Sequence, residues 1–139
     1  MVEANVEVPG ASELIAWFGH WPSFHDAEVL EIALHRTGNS TIRIHAFEAT
    51  NQVGSQGFFI STKHVIVTFI LAGVTDLHLD EFNLQNVIWG LLLKQKAEGY
   101  ELTLYGCYGI QGTITADRIF IELEPGLPAD SQYMNVDRI

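Results

Sequence analysis

The chain has 139 residues, 47% hydrophobic and 17% charged, the balance of a folded globular protein rather than a disordered one. Seven Lys and Arg stand against seventeen Asp and Glu, a net charge of −10 with neutral histidines. Long-range repulsion from phosphates argues against a nucleic-acid partner and favours a basic protein, although acidic surfaces also serve solubility alone.

The length fits one domain, 1–139, with a core that removes roughly two-thirds of the unfolded surface from water. Cys107 is the single cysteine, which excludes an intramolecular disulfide and suits a reducing cytoplasm. The N-terminus, MVEANVEVPG, lacks the basic segment and apolar core of a signal peptide. The longest apolar-rich run, Val65 to Val74, is about half of what a bilayer crossing needs, so it reads as a buried strand and no membrane is expected.

Residues 1–10 read as an extended arm ending in Pro9-Gly10. A short helix is expected over Glu13 to Phe18, capped by Ser12 and stopped by Gly19, with Leu14, Trp17 and Phe18 on one face. Pro22 makes His20 to Ser23 a loop. From Glu28 the pattern turns to period two, with Leu30, Ile32 and Leu34 on one side and Val29, Glu31, Ala33 and His35 on the other. A turn at Gly38-Asn39-Ser40 leads to Ile42, Ile44 and Ala46, completing a hairpin.

Asn51 to Gly57 reads as a loop, and Phe58 to Ser61 and Val65 to Val74 as strands. Leu77, Leu79 and Phe82 alternate again. Asn83 to Gly99 fits two patterns. Leu84, Val87, Ile88, Leu91 and Leu92 match a helix face, yet the run is as apolar as a buried strand, and its strand-like neighbours favour strand. Tyr100, Leu102 and Leu104 alternate, and Gly106, Gly109 and Gly112 mark a bend or bulge. Thr113 to Glu124 is the cleanest strand, with Ile119, Ile121 and Leu123 facing inward. Residues 128–139 read as a surface tail anchored by Tyr133. The sum is an α+β fold, mostly antiparallel β: one short N-terminal helix, then a multi-stranded antiparallel sheet.

Chemistry is hard to place. The six histidines show no HExxH spacing and have no second cysteine to join in a zinc pattern. His35 and His45 could face each other across the first hairpin, but a metal there lacks a third ligand, so neither metal nor cofactor is expected. Ser23, His25 and Asp26 are too close in sequence for a relay, because neighbouring side chains on an extended chain point apart. Asp26 reads instead as a loop-fixing residue. The Lys and Arg residues are scattered and form no stripe.

Three stretches carry a family resemblance. The first runs from Trp17 to Val29, WFGHWPSFHDAEV; the second is Phe82 to Ile88, FNLQNVI; the third is Tyr105 to Gly112, YGCYGIQG. Together they resemble the bacterial family called immunity protein 50, over about residues 12 to 125. The resemblance implies a cytoplasmic, non-catalytic protein that binds and neutralises a cognate toxin. It transfers no catalytic residue. On it and on residue type, Trp21, Phe24, His25, Asp26, Glu28, Asn86 and Tyr108 are the candidate motif or partner-binding residues. Two rivals stay open: a small-ligand or metal-dependent enzyme using the His25/Asp26 loop, and an assembly module in which an exposed strand edge pairs with a second copy, giving a homodimer.

Overall fold

The computed structural model describes residues 6–55, 57, 59–129 and 131. Helix α1 spans Ala11–Phe18, and the strands are β1 Ala27–Ala33, β2 Asn39–Val53, β3 Phe59–Asp80, β4 Val87–Gln95, β5 Tyr100–Tyr108 and β6 Gln111–Pro125. All pairings are antiparallel, and the sheet closes into a barrel in the order β1-β2-β3-β6-β5-β4. The expected α+β, mostly β class is therefore observed. Closure gives each strand a neighbour on both sides among the described residues, with β1 and β4 meeting through the pairs Ala27–Ile88 and Glu28–Val87.

The barrel interior follows from alternation. Ile42, Ile44 and Ala46 of β2 point inward, as do Val65, Val67, Phe69 and Leu71 of β3 and Leu102 and Leu104 of β5. On β6 the inward set is Ile114, Ala116, Ile119 and Ile121. Leu14 and Phe18 of α1 and the following Trp21 and Phe24 pack into the same core. The stretch after Asn83 forms strand β4, as its neighbours suggested. Its helix-like spacing has a local cause: register shifts at Val87/Ile88 and Ile88/Gly90 turn Trp89 outward and leave Ile88, Leu91 and Leu93 inside.

Four details differ from the sequence expectation. The helix starts at Ala11 rather than Glu13, and Gly10, not Ser12, occupies its N-cap with φ 93°. Gly10 is required there because a Cβ would collide with the Ile121 carbonyl, against which the arm is docked by Ile121 N–H donating to Pro9 O (2.8 Å). β1 does not keep one face: a bulge between Val29 and Glu31 buries Ala27 and Val29 at its start and leaves Leu34 exposed past its end. β2 continues through Asn51 to Val53, where a loop was expected. Finally, β3 is one 22-residue strand rather than three short ones, bending where Lys63 (φ 57°) and Gly73 (φ 71°) adopt left-handed geometry. Tyr133 lies outside the described residues.

Candidate functional site

The bulge in β2 between Ala46 and Glu48, opposite Lys63 of β3, brings three strands' polar side chains together on the outer face of the barrel. His45 pairs with Glu28 of β1 on one side and with Ile66 of β3 on the other. Glu28 Oε1 lies 2.7 Å from His45 Nδ1, His45 Nε2 lies 2.8 Å from His64 Nδ1, and His64 Nε2 lies 2.9 Å from Ser61 Oγ. From the C-terminal segment, the Ser131 hydroxyl donates to Glu28 Oε1 at 2.5 Å. Phe47 stacks on His64 (5.5 Å) and tilts against His45 (5.4 Å), walling the chain with apolar surface. His45 is fully buried, and Ser61, His64 and Ser131 are buried too.

With Glu28 ionised and both imidazoles neutral, these contacts assign the donors. An ionised Glu28 offers only acceptors, so His45 Nδ1 carries a proton. A neutral His45 then accepts at Nε2, which requires His64 Nδ1–H, and His64 Nε2 accepts the Ser61 hydroxyl proton. One added proton can be housed by reversing both downstream bonds: His45 Nε2–H donates to His64 Nδ1, and His64 Nε2–H donates to Ser61 Oγ. A second would set two N–H groups against each other. The chain thus has room for one extra proton with these three contacts kept.

The order carboxylate, imidazole, imidazole, hydroxyl resembles a nucleophile-activating relay, but the Ser61 hydroxyl that would attack is buried, the residue being 5% exposed. The arrangement ties β1, β2, β3 and the C-terminal segment together. No group of three or more metal-binding side chains occurs among the described residues.

The seven residues singled out in the sequence separate into distinct environments. Trp21 and Phe24 are core residues in an edge-to-face pair, 6.2 Å between centroids. Trp21 Nε1 is buried with no hydrogen-bond partner among the described residues. His25 and Asp26 are largely exposed, with His25 Nε2 3.6 Å from Asp26 Oδ2. They sit on a turn in which Phe24 (φ 58°) and Asp26 (φ 63°) are left-handed and Ser23 Oγ accepts the His25 N–H. Glu28 belongs to the polar chain. Asn86 is buried and organises the β3–β4 loop, and Tyr108 is exposed at the end of β5.

His35 and His45 do not face each other. β1 ends at Ala33, and the bulge at Val29/Glu31 sets His45 opposite Glu28 instead. The His45–His64 contact joins β2 to β3 across 19 positions and has no local sequence signature; only the outward position of both residues on apolar strands hinted at it.

The family model for Immunity protein 50 matches residues 10–124 of the chain. No significant match was found among curated proteins or among solved structures.

Proposed function

The chain belongs to the Immunity protein 50 family, and we propose that it acts in the cytoplasm of a toxin-producing bacterium, binding a basic cognate toxin and neutralising it by covering it. The family match over 10–124 is the observation that carries this reading. Two features support it. The net charge of −10 would steer a basic partner toward the protein. The side-chain set with a relay-like order, Glu28–His45–His64–Ser61, is enclosed and internally hydrogen-bonded, as a structural clasp is. Inhibition by coverage needs only a contact of roughly 1,200–2,000 Å².

The test is co-expression with the toxin encoded beside this gene. Growth should be rescued by the wild-type protein and equally by Ser61→Ala, because neutralisation by coverage uses no hydroxyl chemistry. Rescue lost in a folded Ser61→Ala variant would favour an enzymatic role; no rescue by the wild type would remove the proposal.

A further inference from the structure

We infer that the docking face of this protein is the end of the barrel formed by the β3–β4 loop and the outer surfaces of β4 and β5, and that its partner is a protein surface with an apolar socket ringed by Lys and Arg. This rests on the binding reading above and adds the face and its chemistry.

Four of the six large apolar side chains that the described residues expose gather here. Leu84 is fully exposed, Phe82 and Tyr108 are 61% and 64% exposed, and Trp89 is 43% exposed. Trp89 packs on Tyr105 at 5.0 Å, and the two share a hollow with Asp80 and His78. Loop and β5 end are neighbours: a Cβ on Gly109 would touch Asn86 Oδ1 and Gln85 O. Phe82 and Leu84 also border a groove against Glu28 to Leu30 of β1. Aromatic anchors of this kind dominate protein interfaces.

The loop that displays Phe82 and Leu84 is held in shape. Asn86 Oδ1 accepts the N–H groups of Asn83 (3.0 Å) and Ile110 (3.1 Å), and Asn86 Nδ2 donates to Asn83 O (2.7 Å). Asn83 Oδ1 accepts the Gln85 N–H (2.7 Å), and Val29 N–H donates to Asn86 O (2.8 Å). An apolar pair presented on a fixed backbone loses little freedom on binding.

Charge decides the occupant. Neither 80–93 nor 102–113 contains a Lys or Arg, whereas Asp80 and Glu81 are exposed there; Lys94, toward the far end of β4, stands opposite Glu101. A second copy would bring these carboxylates against their own equivalents. An anionic membrane or a nucleic acid would be repelled, and a basic protein surface attracted.

The experiment measures binding of the toxin encoded by the adjacent gene, produced with its activity abolished, by surface plasmon resonance. Leu84→Glu and Trp89→Ala should each raise Kd about tenfold or more. Asp80→Asn/Glu81→Gln should slow association severalfold at low salt with little change in dissociation. Leu34→Glu, on the β1–β2 turn, should leave Kd within about twofold. Leu84 is fully exposed, so an unchanged melting temperature is expected of Leu84→Glu and verifies that the variant is folded. If the wild type binds and Leu84→Glu binds equally well, or Leu34→Glu weakens binding as much, the face is wrong while neutralisation stands. If the wild type does not bind, neutralisation itself fails and this face with it. Light scattering at tens of micromolar and sedimentation with zwitterionic and anionic vesicles complete the test. A dimer broken by Leu84→Glu, or vesicle binding lost in it, would overturn the basic-protein assignment.

Discussion

At the residue scale, the buried polar chain imposes an unusual tautomeric demand. Both histidines must carry their proton on Nδ1 when neutral, because Glu28 and then His45 Nε2 require donors facing them. At a pH where both rings are neutral, imidazole nitrogen shifts should therefore show Nδ1–H at His45 and His64, with slow exchange at both; a neutral Nε2–H tautomer at either in that state would disprove the chain as drawn. The same logic ranks substitutions. Glu28→Gln keeps an oxygen for His45 Nδ1–H, whereas Glu28→Leu leaves that buried donor and the Ser131 hydroxyl without it. Glu28→Leu should cost about 1–3 kcal/mol more than Glu28→Gln in urea unfolding. Asn86→Ala strands the N–H groups of Asn83 and Ile110 and should cost about 1–3 kcal/mol. At that position the loss would also loosen the loop, so reduced hydrogen-exchange protection should centre on 83–86 and 110.

At the element scale, irregularities rather than regular strands place the side chains that matter. The bulge between Ala46 and Glu48 turns His45, Phe47 and His64 into one cluster, and the shifts at Ile88/Gly90 set Trp89 outside beside Tyr105. Each inserted residue changes the side-chain phase of a strand, which is why a two-residue period read through it fails. The N-terminal arm is fixed in a comparable way. Gly10 combines a φ of 93° with backbone contact to Ile121, so Gly10→Ala should destabilise by more than about 1 kcal/mol, measured by thermal or urea melting. A variant as stable as the wild type would mean that the arm does not pack along β6. The motif Trp21 to Val29 serves largely to pack the same end of the chain, since Trp21, Phe24, Ala27 and Val29 are buried where the helix hands over to β1.

At the scale of the whole molecule, the sheet pairs segments far apart in the chain. β1 meets β4, β3 meets β6, and Ser131 reaches Glu28 over 103 positions. Closing such contacts before they stabilise anything is entropically costly, so refolding should take milliseconds to seconds rather than microseconds, as stopped-flow dilution from urea would show. The charge acts over the same length scale. If a basic toxin is the partner, its association rate should fall steeply between low and physiological salt while its dissociation rate changes little.

The sequence by itself determined the class of fold, because alternation, glycine and proline are local signals: a helix stopped at Gly19, the hairpin through Gly38, and the β6 core of Ile119 and Ile121 are all legible in it. It also determined the acidity and, through the Trp21 to Val29 motif, the family. Of the candidate residues, Glu28, Asn86 and Tyr108 were visible by type and motif, but their surroundings were not. Only the tertiary structure decided that six strands close into a barrel, that His45 meets His64 rather than His35, and that Phe82, Leu84, Trp89 and Tyr108 stand exposed. These depend on register and bulges between segments tens of residues apart, where one position of slip exchanges the inside of a strand for its outside.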